Sequence, residues 1–146
     1  MRLVNKKALH NYHIIESLEA GIVLSGGEVK SIKGGHIELS GAYVKILGNE
    51  AFLVNALIPE YQPGNEKEYE STRSRKLLLH KTQINSLTSK NAQKGTTLIP
   101  VSIYEKNNRL KLEVGIGRPK KEFDKRRVIK ERDQVRKIEQ DLRGKE

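Results

Sequence analysis

Four histidines, His10, His13, His36 and His80, are the side chains best suited to proton transfer or metal ligation in this chain. No two of them show the i, i+4 spacing with an adjacent acid that mounts a metal on one helix face. The absence of cysteine removes thiolate ligands, thiol nucleophiles and disulfides together, and it fits a reducing compartment. GGEVKSIKGG, residues 26–35, has the glycines and lysines of a phosphate loop, but Lys30 has no glycine before it and the GxxxxGK[ST] spacing is missing. GIG at residues 115–117 is a fragment of a dinucleotide fingerprint that closes a strand beside a proline rather than opening a helix. No Ser, His and acidic residue assemble into a nucleophile without invented geometry. The residues therefore point to no enzyme, no metal and no cofactor.

What remains is ionic and stacking chemistry. NKKALHNY, residues 5–12, interleaves Asn5, Lys7, His10 and Tyr12, a mixture that neutralises phosphates and stacks on unpaired bases; the plainer reading is a solvated N-terminus with Tyr12 in the core. RSRKLLLHK, residues 73–81, sets four cations around a leucine cluster and reads equally well as a solvated helix face. The whole chain has 28 Lys and Arg against 18 Asp and Glu, a formal charge of +10, and a pI near 9.8. Such self-repulsion is relieved by a polyanion, and nucleic acid is the commonest one.

The elements that must position these residues follow from hydrophobic spacing. At 146 residues the chain suits one core. YHIIESLEAGIVL, residues 12–24, is rich in β-branched and aromatic residues and predicts a strand, followed by a short helix between the glycines of GGEVKSIKGG. Residues 42–58 predict a hairpin turning at Gly48 and Asn49, and residues 96–117 a second turning at Asn107 and Asn108. Pro100 inside the latter predicts an edge or a bulge. Residues 74–90, with Ser74 as N-cap and Leu77, Ile84 and Leu87 on one face, predict a helix, and residues 58–74 a surface loop. Strands of this number without a βαβ rhythm predict a mainly β fold, a closed antiparallel OB-type barrel with short flanking helices. No apolar run reaches the length of a signal peptide or of a membrane span, so a soluble cytoplasmic protein is expected.

The last residues behave differently. Arg118–Glu146 carries twelve Lys and Arg against seven Asp and Glu, half of the excess charge on a fifth of the chain. Val128, Val135, Ile138 and Leu142 make a narrow helical stripe that needs a partner. Residues 1–117 are expected to form the body and residues 118–146 a basic tail, disordered when free, with a surface helix of the body as the alternative.

Taken in order, NKKALHNYHIIESLEAGIVLSGGEVKSIKGG, RKLLLHK, KGTTLIPVSIYEKNNRLKLEVGIG and KKEFDKRRVIKERD closely resemble the small protein B family, the bacterial SsrA-binding proteins that partner tmRNA. The resemblance runs nearly end to end. It implies an OB-fold, no catalytic activity, and a role as an adaptor of trans-translation: a monomer that grips the tRNA-like domain of tmRNA and brings it to a stalled 70S ribosome. No DNA and no membrane are implied. The positions it marks for RNA are Asn5, Lys7, His10, Tyr12, Glu19, Leu78 and Lys111, with Glu19 and Leu78 as candidates for supporting the binding surface. It further implies that the tail becomes helical in the empty mRNA channel beside 16S rRNA near the decoding centre, through Lys120, Lys121, Phe123, Asp124, Lys125, Arg126 and Arg127. Two departures stand out: Pro119 replaces a glycine hinge, and Phe123 stands where some relatives have histidine. A ribosome-associated structural protein without a tmRNA role is the competing reading.

Overall fold

Strand alternation and a few turn residues account for most of the architecture. A computed structural model describes residues 1–61, 68–92, 95–120 and 124–143, with the backbone alone for residues 124–133. The elements are β1 (Arg2–Val4), α1 (Lys6–Asn11), β2 (Tyr12–Ile22), α2 (Gly26–Lys33), β3 (Tyr43–Leu47), β4 (Glu50–Val54), β5 (Arg75–Leu78), α3 (Lys81–Asn91), β6 (Thr97–Lys106), β7 (Arg109–Pro119) and α4 (Asp124–Arg143). All named strand pairs are antiparallel, in the order β1-β6-β7-β2-β5-β4-β3. Ile32 of α2 and Leu87 of α3 join Leu53, Leu77, Ile103 and Leu112 of the sheet in the main core. Among the described residues no helix is long and apolar enough to cross a membrane.

Both predicted hairpins form. Asn107 and Asn108 take φ of 53° and 63°, the paired positive values of the turn that suits twisted strands. Pro100 marks a register slip between Pro100 and Ser102, so it is bulged, but β6 lies between β1 and β7 and is no edge. The odd residue, Val101, turns inward: its Cγ2 lies 2.6 Å from where a Cβ on Gly115 would stand, so only glycine fits there.

The ladders do not draw the expected closed barrel. β1 and β3 are the margins of the sheet, and β3 lies beside β6 with no ladder between them among the described residues. The cause is local: β1 already occupies β6 at Ser102–Tyr104, and Pro100 has no N–H to offer. Asn5 spans the gap instead. Its Nδ2 donates to the carbonyl of Leu39 (3.1 Å) ahead of β3 and to that of Pro100 (2.8 Å) on β6.

Two sequence expectations are corrected. Residues 75–78 are a strand, because Arg75 and Leu77 are buried while Lys76 and Leu78 are exposed, a period of two. The helix starts only at Lys81, after His80, whose N–H donates to Gln83 Oε1 at 2.9 Å, and Ser74 caps nothing. The strand β1 and the helix α1 were not anticipated; Asn5 caps α1 by accepting from the Ala8 N–H at 3.2 Å.

A buried ionic knot joins α2 to β5. Ser25 and Glu28 form a reciprocal capping box at the start of α2. The same Glu28 carboxylate, 1% exposed, accepts from Arg75 Nε at 2.8 Å and from Arg73. Arg75, fully buried, completes its donors on the carbonyls of Ala56 (2.7 Å) and Ser71 (3.0 Å). Burial alone would raise the Glu28 pKa, but hydrogen bonds from Arg73 and Ser25 and the charge of Arg75 hold it below the usual carboxylate value.

The tail's stripe finds its partner on the body. Ile138, fully buried, packs with Phe52 and Val54 of β4, and Leu47 and Leu142 flank them. Asp141 Oδ2 accepts the Ser74 N–H at 2.7 Å, and Lys137 reaches Asp141 (3.1 Å) and Glu70 (3.6 Å). Burial opposes ionisation of Asp141, yet the Ser74 bonds and Lys137 keep its pKa low. β7 also runs two residues past the expected boundary, through Pro119, which faces Tyr12.

Candidate nucleic-acid interface

β2, like β7 an eleven-residue strand with neighbours on both sides, carries the site where it meets both β5 and β7. At its C-terminal end Gly21 pairs with Leu78 of β5 and with Lys111 of β7, so three strands bring these residues into one row. Glu19, two residues earlier, shares their face. Gly21 sits close under Leu78: a Cβ there would lie 3.1 Å from Leu78 Cβ, tight enough that Leu78 would have to shift by a few tenths of an ångström. Leu78 therefore lies across the strand and is 56% exposed, on a ridge between two hollows. One hollow, about 570 Å³, is lined by Glu19, Lys76, His80, Gln83 and Lys111; the other, about 240 Å³, by Val29, Lys33, Asn108, Arg109 and Lys111.

Glu19 is held from the opposite side. Its Oε2 accepts from Tyr104 Oη at 2.8 Å and from Lys106 Nζ at 3.3 Å, and Arg2 lies over the Tyr104 ring at 4.3 Å. The hydrogen bond from Tyr104, followed by Lys106, lowers the Glu19 pKa despite some desolvation. Tyr104 is pushed up to about 12, first by burial and then by its bond to Glu19. The carboxylate is thus ionised, oriented and 34% exposed, and Oε1, with no partner among the described residues, can accept from a base N–H or a ribose hydroxyl. An exposed leucine among lysines offers what an unpaired base or ribose needs, an apolar face beside phosphate-neutralising charge.

The residues expected at the N-terminus separate into two groups. Lys7 and His10 are exposed on α1. Asn5, 4% exposed, is spent on capping and on the sheet gap, and Tyr12, also 4% exposed, packs with Ala8, Ile99 and Val101. These two frame α1 rather than present a surface. Tyr12 and Gly21 lie at opposite ends of β2, about 30 Å apart at roughly 3.3 Å per residue, so the seven expected residues make two patches, not one. Lys120 is exposed and its N–H donates to the Asn11 carbonyl at 2.9 Å. Lys121 and Phe123 lie outside the described residues, as do the side chains of Asp124, Lys125, Arg126 and Arg127.

Reading the sequence by itself missed Gly21, Tyr104, Arg2 and Lys106. The signal for Gly21 was a glycine inside a strand pattern, which marks close approach of another group. Nothing local signals Tyr104, which meets Glu19 only across the sheet.

Comparison with known proteins agrees along the whole chain. The family model described as SmpB protein matches residues 2–144. The SsrA-binding protein of Shouchella clausii is 46% identical over 95% of this chain and 89% of its own length. That of Lactobacillus acidophilus is 48% identical over 92% and 89%, and that of Persephonella marina 45% over 97% and 93%. A chain of the solved structure described as "tmRNA-SmpB: a journey to the center of the bacterial ribosome" superposes with a TM-score of 0.71 at 39% identity, covering 94% of this chain and 96% of that one.

Proposed function

The chain belongs to the SmpB protein family, and from that premise we propose that it is an RNA-binding adaptor of trans-translation. It binds the tRNA-like domain of tmRNA and delivers it to stalled ribosomes. The observation that carries this reading is the row of Glu19, Gly21, Leu78 and Lys111 on one open face. Leu78 meets a base or ribose face, Lys111 neutralises phosphate, and Glu19 accepts a hydrogen bond from the RNA. Lys7 and His10 touch a second part of the RNA from the far end of β2, with Asn5 and Tyr12 holding α1 in place. The body acts as an OB-type barrel whose last gap is sealed by side chains such as Asn5 rather than by a ladder. The tail, residues 118–146, contacts ribosomal RNA in the vacant message channel through Lys120, Lys121, Phe123, Asp124, Lys125, Arg126 and Arg127 and is helical there. The work is done in the cytoplasm and makes or breaks no covalent bond.

Affinity purification followed by sequencing of the bound RNA tests this. One stable RNA, tmRNA, is expected well above ribosomal RNA, with log affinity falling linearly as log salt rises. Recovery of ribosomal RNA alone sinks the reading in favour of a structural ribosomal role. A flat salt response removes the basic face as the binding site.

A further inference from the structure

The row that gathers Leu78, Gly21 and Lys111 does not end at β7. Lys111 stands opposite Tyr104 of β6, and Tyr104 opposite Arg2 of β1, so five adjacent strands place Leu78, Gly21, Lys111, Tyr104 and Arg2 in one line. Their neighbours along the strands, Leu3, Ile103, Leu112, Ala20 and Leu77, belong to the main core or pack against it, so by alternation the line faces outward. Four strand spacings make it about 19 Å long, more than a single base or phosphate covers. Arg2 stands at its end with 53% of its side chain exposed. The guanidinium lies over the Tyr104 ring at 4.3 Å, and Nη1 donates to Ser102 Oγ (2.9 Å) and Glu113 Oε1 (3.3 Å). Nε and Nη2 have no partner among the described residues.

We propose that Arg2 is a further RNA contact, a phosphate-binding residue on β1 that carries the row beyond the residues around β2. This deepens the RNA-binding role proposed above and rests on it. The tyrosine ring on one face and the two acceptors at Nη1 hold the guanidinium in place. Nε and Nη2 share its remaining edge, a pair of parallel donors that matches two oxygens of one phosphate. Charge calls for a cation here as well. Glu19 and Glu113 are direct cross-strand partners, and two carboxylates so placed repel each other and any phosphate that approaches. Tyr104 and Lys106 engage Glu19, and Arg2 engages Glu113. An ion pair as exposed as Arg2 with Glu113 adds little to stability, so its consequence lies in the field that the RNA meets. A lysine would supply the charge without the flat, two-donor edge.

Salt titrations of RNA affinity test this with the full-length protein, Arg2→Gln, Arg2→Lys and the double variant Arg2→Gln with Glu113→Gln. The probes are a transcript of the tRNA-like domain of tmRNA and, in parallel, an unrelated tRNA. Loss of one phosphate contact in Arg2→Gln should weaken tmRNA binding about threefold to tenfold and make the slope of log affinity against log salt shallower by about 0.7–0.9. Arg2→Lys should keep the slope and lose part of the affinity. The double variant should recover none of the slope, because the contact is gone whether or not Glu113 is charged. Parent-like affinity and slope in Arg2→Gln overturn the proposal, and so does their recovery in the double variant, which would reduce Arg2 to a mask over Glu113. One measurement needs no variant: the Arg2 Nε–H resonance of the parent protein should shift when the transcript is added, and a resonance that stays in place overturns the contact. Binding of the unrelated tRNA but not of tmRNA by the parent would instead sink the adaptor reading, while the Arg2 series on that tRNA would still decide the contact.

Discussion

Glu19 and Glu28 stand nine residues apart on either side of one short turn, and the molecule uses them in opposite ways. Around Glu28 both oxygens are engaged: the Ser25 N–H, Arg73 and Arg75 donate to a carboxylate buried away from water. Around Glu19 only Oε2 has partners among the described residues, Tyr104 and Lys106, and the residue lines an open hollow. Both are held ionised, yet the first is closed chemistry that fixes α2 against β5, and the second is oriented and incomplete. The difference teaches that the charge state of a carboxylate says little about its task. The number of acceptor positions left over says more.

The sharpest way to break the contrast is Glu28→Gln. It leaves two guanidinium groups without their anion, and loss of one partner of a buried pair costs about 3–5 kcal/mol, readable as a large drop in melting temperature. The pH dependence carries the same sign. With its pKa depressed in the fold, Glu28 contributes fully above the ordinary carboxylate range and loses that contribution as pH falls through the lowered value, so Glu28→Gln should flatten the acid limb of the stability curve. A melting temperature equal to that of the parent would erase the distinction between the two glutamates. Next in size is Leu78→Asp, which puts a negative charge on the ridge; affinity for tmRNA should fall by roughly 10- to 100-fold, the worth of about 1–3 kcal/mol of stacking, with stability unchanged within about 0.5 kcal/mol. Retained affinity would remove the ridge from the interface. The smallest effect is expected from Glu19→Gln, which keeps an oxygen to accept from Tyr104 and turns the RNA-facing oxygen into an amide donor. A loss of affinity of about threefold to tenfold is expected in a titration, with no change in melting temperature.

Much of this arrangement could be read before any coordinates. The long strand from Tyr12, both hairpins and the two asparagines of the second turn follow from local spacing, because each depends on neighbours in sequence. Leu78 was harder. Its run of three leucines fits a helix or a strand, and burial of Arg75 decided for the strand, a fact that depends on Glu28 lying 47 residues earlier. Asn5 and Tyr12 have the composition of an RNA-binding stretch, but tertiary contacts with Leu39, Pro100 and Ile99 turn them inward. The stripe on the tail was visible, whereas the surface that receives it, Phe52 and Val54, is assembled only when β3 and β4 pair.

The gap between β3 and β6, bridged by the Asn5 amide, has a practical side. A fusion or surface tether attached at Met1 pulls directly on β1, α1 and that bridge, so load applied there works toward parting the two margins of the sheet. The same handle fixed after Arg143 strains only the grip of Ile138 and Asp141 on the body and leaves the sheet whole.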